Sequence, residues 1–142
     1  ELENPDAAIR HARQNLDTGH TWIGFAGHQG KPLSSGRLVT ASQHWLGTVC
    51  CTLEEGIERL GLVVTGGETG AICLQRMDVG AIEIVSEVQP GIAGGIISGG
   101  RFDGRRIVTK AGAFGQEDAI VASIDWLVGR SSGIVYRRDT RL

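Results

Sequence analysis

The run Leu62-Val63-Val64-Thr65 passes without interruption into Gly66-Gly67-Glu68-Thr69-Gly70, and this junction constrains the chain more than any other stretch. Four apolar and β-branched residues in succession read as a strand covered on both faces. The glycines after it read as a turn that opens a helix. A helix N-terminus reached this way presents amides with no intrahelical acceptor, together with the positive end of the macrodipole, and both favour an anion. The stretch has neither the Gly-Lys-Ser/Thr ending of one nucleotide loop nor the Gly-x-Gly-x-x-Gly spacing of the dinucleotide fingerprint. Taken alone, it leaves two readings open: a phosphate-holding loop, or a turn that needs glycine only for tight backbone geometry.

The chain leading up to the junction alternates helix and strand. Asn4-Pro5-Asp6 is a capped helix start, Ala8, Ile9, Ala12 and Leu16 share one helical face, and Gly19 supplies a stop. Residues 21–26 read as a short buried strand. Residues 27–36 read as an exposed loop, with His28 and Lys31 as side chains able to reach a ligand. A second helix follows, with Leu46, Val49, Leu53, Ile57 and Leu60 at helical spacing and Glu54, Glu55, Glu58 and Arg59 on the wet side. Thr40 or Ser42 can cap it, and Gly61 ends it.

Beyond the junction, Ala71, Ile72, Leu74 and Gln75 suit a short helix ending near Asp78. Residues 81–88 alternate as a half-exposed strand, Pro90-Gly91 breaks that strand, and residues 92–98 form another. Asp103-Gly104 signals a hairpin leading into a strand over residues 106–110. A last helix opens at Gln116-Glu117-Asp118, buries Ile120, Val121, Ile124, Leu127 and Val128, and closes at Gly129.

Composition narrows the function classes. The 142 residues have the size of one domain, and a net charge of −2 gives no electrostatic reason to expect nucleic acid or an anionic membrane as partner. Arg137, Arg138 and Arg141 near the end read as a solvated tail. Three cysteines, with Cys50 and Cys51 adjacent on the second helix, cannot all pair internally and lack metal-ligand spacing, so a cytoplasmic location is expected. Packing is their expected role, with a redox pair at Cys50-Cys51 as the alternative. No apolar run reaches the length of a membrane span.

A second glycine loop gives the first its meaning. Lys110 ends a strand and is followed by Ala111-Gly112-Ala113-Phe114-Gly115, which again leads into a helix. Two such loops can follow phosphate oxygens with backbone amides. Lys110 can neutralise charge, and Glu68 and Thr69 can hold Mg2+ through water. Such groups form one half of a phosphoryl-transfer site, which acts by positioning and electrostatic stabilisation. A carboxylate set to bind or deprotonate an acceptor is not evident, so the catalytic base is left unassigned.

Gly-Gly-Glu-Thr at 66–69, Pro90-Gly91, Gly99-Gly100 and Lys110-x-Gly-x-Phe-Gly ending at Gly115 together resemble the C-terminal nucleotide-binding domain of the four-carbon acid sugar kinases. The resemblance is firm over residues 62–127 and looser before them. It implies ATP and Mg2+ as cofactors, with Gly66, Gly67, Glu68 and Thr69 as the phosphate loop, Gly112 as a second backbone contact and Lys110 as an accessory. It also implies that the acceptor, of the threonate, erythronate or 3-oxo-tetronate type, is bound by an N-terminal domain upstream of Glu1. Residues 1–142 are then the C-terminal half of a two-domain kinase, inactive alone, with a homodimer as a further expectation. Two departures accompany the resemblance. The family pattern Lys-Ser-Gly-Gly-Phe-Gly carries Ala111 and Ala113 here, methyls expected to narrow the pocket, and Gly70 stands where alanine is common. The alternative is a non-catalytic domain of the same fold used for oligomerisation or ligand sensing. The expected architecture is a three-layer α/β/α domain with a mixed, largely parallel sheet and one antiparallel hairpin.

Overall fold

The computed structural model describes residues 5–18, 45–53, 60–130 and 134–135. The expected strand at 21–26, the loop with His28 and Lys31, the caps at Thr40 and Ser42, and the arginine tail all lie outside the described residues. So do the Gly19 stop and the charged face at 54–59. The chain divides into two compact units: one comprises Glu1–Leu60 and Ala71–Met77, the other Gly61–Gly70 and Asp78–Leu142.

In the first unit, α1 spans Pro5–Asp17 and buries Ala8, Ile9 and Ala12, as its spacing requires. Residues 45–53 form α2, with Trp45, Val49 and Leu53 buried one or two turns apart. The Arg13 guanidinium donates to the Thr52 carbonyl at 2.8 Å and ties α1 to α2. Helix α3 spans Gly67–Arg76, and its C-terminal part belongs to this unit. There α2 and α3 approach so closely that a Cβ on Gly47 would lie 2.7 Å from the Arg76 Cβ.

The second unit is built on a five-stranded sheet of order β1-β4-β3-β2-β5. Its strands are β1 Leu62–Thr65, β2 Ala81–Gln89, β3 Ile92–Ser98, β4 Arg106–Lys110 and β5 Ile134–Val135. The sheet is mixed, as expected, but it is mostly antiparallel. Among the described strands only β1 and β4 run parallel, with Leu62 opposite Ile107 and Thr65 opposite Lys110. The reason is loop length, because parallel neighbours need a crossover of a dozen residues or more and the turns joining β2 to β3 and β3 to β4 are too short.

The second correction has the same origin. Pro90-Gly91 does more than break a strand: Gln89 pairs with Ile92 across it, and Gly91 has φ +78°. Proline at the first central position and a positive-φ glycine at the second suit a type II turn. The chain therefore makes two successive hairpins where one was expected. The second closes through Asp103-Gly104, with Gly104 at φ +76° and the Gly99 amide donating to Asp103 Oδ1 at 2.6 Å. Phe102 inside this turn is fully buried, an anchor not expected in so polar a turn.

Helix α4, Ala119–Leu127, lies across β1 to β4 and buries Ala119, Ser123 and Trp126. Ile92, Val108, Ala119 and Trp126 form the core between helix and sheet. The buried face is rotated from the expected one, since Val121 and Val128 are about 60% exposed. This helix is apolar nearly all round, so its spacing does not choose a side. The indole chooses it: Trp126 packs where Gly94 leaves room, a Cβ there falling 2.6 Å from the ring, while the Arg106 guanidinium stacks over Trp126 at 4.2 Å.

Candidate functional site: two glycine loops at one end of the sheet

The parallel pair places both loops side by side. β1 and β4 end together at Thr65 and Lys110, and the next residue on β1's side, Gly66, donates its amide to the Lys110 carbonyl at 2.9 Å. That bond continues the ladder by one step and fixes one loop against the other. A Cβ on Gly112 would lie 4.0 Å from the Gly66 Cα.

At the first loop strand gives way to helix within one residue. Gly66 takes φ +88°, a region costly for any side chain, and its carbonyl accepts the Gly70 amide at 2.7 Å, the first bond of α3. Gly66 is thus the cap of α3. Gly67, Glu68 and Thr69 supply the amides that a helix start leaves without intrahelical acceptors. Gly67 has open space around it, since a Cβ there would meet nothing within 4 Å. Gly70 packs closely on β1, since a Cβ there would stand 3.1 Å from Val64 Cγ1. Thr69 is half-buried in the same turn, and the Glu68 side chain lies outside the described parts of the structure.

In the second loop, Lys110 folds over its own backbone. Its ammonium donates to the Ala111 carbonyl at 3.2 Å and to the Gly112 carbonyl at 3.0 Å. With every described peptide bond trans, the amides of Gly112 and Ala113 point away from that ammonium. The Ala111 carbonyl also accepts the Phe114 amide at 3.1 Å, closing a turn. Among the described residues only Asp78 has positive φ outside glycine, so Ala111 and Ala113 sit in ordinary backbone conformations, both exposed. The positive φ of this loop falls at Gly115, at +99°.

Neighbouring groups hold this loop in a way the sequence did not reveal. The Gln89 carboxamide at the end of β2 accepts the Gln116 amide at 3.1 Å and donates to Asp118 Oδ1 at 2.8 Å. Asp118 precedes the first residue of α4. The available signal is Pro90-Gly91 itself: read as a tight hairpin turn, it carries the end of β2 to the loops.

A magnesium ion fits this donor set only through phosphate oxygens and water. Among the described residues no three His, Cys, Asp or Glu side chains converge as a metal cage. Thr69, whose Cβ lies 4.0 Å from where a Cβ on Gly66 would stand, carries a hydroxyl of the kind that suits an ion keeping most of its water. The cysteines lie elsewhere, in the first unit. Burial pushes the Cys50 thiol up to about 12, with the neighbouring Cys73 and Cys51 adding to the rise, and burial raises Cys73 as well. Thiolate formation is thus disfavoured there, contrary to what a reactive redox pair needs.

Known proteins resemble this chain in sequence and in fold. Residues 6–120 match the family described as the nucleotide-binding C-terminal domain. The chain belongs to that family. The domain is 38% identical over 61 residues to the D-threonate kinase of Bordetella bronchiseptica, covering 43% of this chain and 15% of the kinase. It is 33% identical over 76 residues to the D-erythronate kinase of Heliobacterium modesticaldum, covering 54% of this chain and 17% of that one. It is therefore a C-terminal nucleotide-binding domain of the four-carbon acid sugar kinase kind, and its matches span about a sixth of the length of these curated kinases. A crystal structure of a domain of unknown function from Bordetella bronchiseptica, with bound citrate and as a domain-swapped dimer, superposes with a TM-score of 0.61 at 27% identity. That likeness covers 70% of this chain and 24% of the other.

Proposed function

We propose that the two loops hold the phosphates of Mg-ATP for transfer to the hydroxyl of a four-carbon sugar acid of the threonate, erythronate or 3-oxo-tetronate type. The observation that carries this reading is the Gly66 amide bonded to the Lys110 carbonyl, which joins two glycine loops at the ends of the parallel strand pair. In this reading the amides of Gly67, Glu68 and Thr69 bind phosphate oxygens at the start of α3, and the Gly112 amide binds from the other side. Lys110 shapes the second loop through its carbonyls, and its charge lowers the cost of gathering anionic oxygens nearby. Glu68 and Thr69 would hold Mg2+ through water, and the ion would neutralise charge on the transferring phosphate.

The sugar acid, in the same reading, is bound by a separate N-terminal domain of the kinase, and a homodimer is a compatible assembly. The solved Bordetella relative is a domain-swapped dimer, which supports that assembly for this chain without supplying its interface. Calorimetric titration with Mg-ATP tests the nucleotide reading. Weak but saturable binding is expected, and Gly67→Val should abolish it with helical content unchanged by circular dichroism. A folded wild-type domain that takes up no nucleotide at millimolar concentration would overturn the proposal.

A further inference from the structure

We infer that Phe114 is the platform on which the base of the bound nucleotide stacks, so that the Pro90-Gly91 turn carries the nucleoside side of the site. This inference rests on the proposed nucleotide reading and adds to it the residue that senses the base. Phe114 is 58% exposed, an unusual state for a phenylalanine, yet its ring is not loose. It lies on the Pro90-Gly91 turn: a Cβ on Gly91 would fall 2.7 Å from its Cδ1 and 3.1 Å from its Cγ. Glycine at 91 therefore makes the seat as well as the turn. Glu87 Oε1 holds the Gly91 amide at 3.2 Å, and the Ala111 carbonyl holds the Phe114 amide at 3.1 Å. The ring thus sits against Gly91 while more than half of the side chain meets solvent, which leaves apolar surface free for a base to cover.

Its position suits the ligand's length. With Thr65 opposite Lys110 and Lys110 opposite Ile92, the same end of the sheet presents Gly66, then Ala111, then Gly91, on successive strands. Two strand spacings, about 10 Å, separate the phosphate loop from the phenylalanine's seat. A triphosphate and ribose cover such a distance. An open cavity of about 460 Å³ along β2 and β3, lined by Ile84, Ser86, Glu87, Gly91, Ile92 and Ala93, shares Gly91 with the seat. Stacking on an aromatic ring tolerates any base, so the ligand class is nucleoside triphosphates in general, with ATP and GTP treated alike at this contact.

Titrations with Mg-ATP and Mg-tripolyphosphate separate the two halves of the site. The wild-type chain should bind ATP at least about tenfold more tightly than tripolyphosphate, an advantage in the range of base–aromatic stacking. Phe114→Leu keeps an apolar side chain on Gly91 but removes the ring; it should lose about tenfold in ATP affinity and leave tripolyphosphate affinity unchanged. Phe114→Trp should retain the ATP preference. Equal losses for both ligands in Phe114→Leu, or no loss for ATP, would overturn the base contact. Wild-type affinities that are equal for the two ligands would overturn it while leaving the phosphate loops standing. Binding of neither ligand would remove the nucleotide reading and this inference together.

Discussion

Gly66 and Gly67 are adjacent, but the backbone uses them differently. Gly66 holds φ +88° and caps α3 with its carbonyl, so any side chain there strains the turn on which the loop depends. Gly67 has no such demand, and a methyl added to it would meet no atom within 4 Å. Gly66→Ala should accordingly cost about 1–2 kcal/mol of stability in urea unfolding, whereas Gly67→Val should stay within about 0.5 kcal/mol of wild type. The same pair should lose nucleotide binding for different reasons, the first by distorting the loop and the second by occupying the ligand's space. Cys50 makes a separate prediction at this scale. Burial holds its thiol pKa above the ordinary value of 9.0, at about 12, so between those values the unfolded chain releases the proton first. The native state then binds more protons, and the contribution, complete below pH 9, is lost as pH rises toward 12. Urea unfolding followed across this range should show wild type losing stability more steeply than Cys50→Ala, which lacks the thiol. Equal slopes would show that the thiol does not titrate differently on folding.

At the scale of elements, the second loop owes its shape to the end of β2. Gln89 accepts from Gln116 and donates to Asp118, and each bond needs a different atom of the carboxamide. Gln89→Ala should lower Mg-ATP affinity about three- to tenfold while changing stability by about 1 kcal/mol, the worth of an exposed hydrogen-bonded pair at most. Gln89→Glu should be as weak, since it sets two carboxylates together. The double variant Gln89→Glu with Asp118→Asn reverses donor and acceptor and should recover the affinity, measured by the same calorimetry. A double variant no better than either single one would show that the loop is held by other means. These elements also explain what is legible beforehand. β1 and the start of α3 are readable because a β-branched run meets a glycine pair, and both signals act locally. The direction of neighbouring strands is not readable at Pro90-Gly91 by composition alone, because a hairpin turn and a plain interruption use the same two residues. The buried side of α4 is hidden for another reason: Val121 and Val128 match the helical period as well as Ser123 and Trp126 do. Which row is buried depends on Gly94 and Arg106, both distant in sequence.

For the molecule as a whole, the informative feature is what the backbone of the two described loops offers a ligand. The loops that follow β1 and β4 are legible as strand-to-helix turns because glycine after a β-branched run leaves a sequence signature. The Gln89–Asp118 support is legible only indirectly, through the Pro90-Gly91 turn, because a hydrogen bond between side chains 29 residues apart leaves no signature of its own. What the backbone of these loops presents, with Lys110 beside it, is donors: helix-start amides, loop amides and one ammonium. In the proposed reading such groups would bind a triphosphate and stabilise its charge, yet none of these donors can take a proton from an acceptor hydroxyl, a step that requires a positioned base. If the acceptor acid and its base are supplied by a separate domain, as proposed, a bound nucleotide should be held without being used by this chain alone. With Mg-ATP at saturation, a coupled assay for ADP release should show no more ADP on adding D-threonate or D-erythronate than without acceptor. Acceptor-dependent ADP formation would place both an acid-binding site and a base within these 142 residues, and the division of labour between two domains would have to be abandoned.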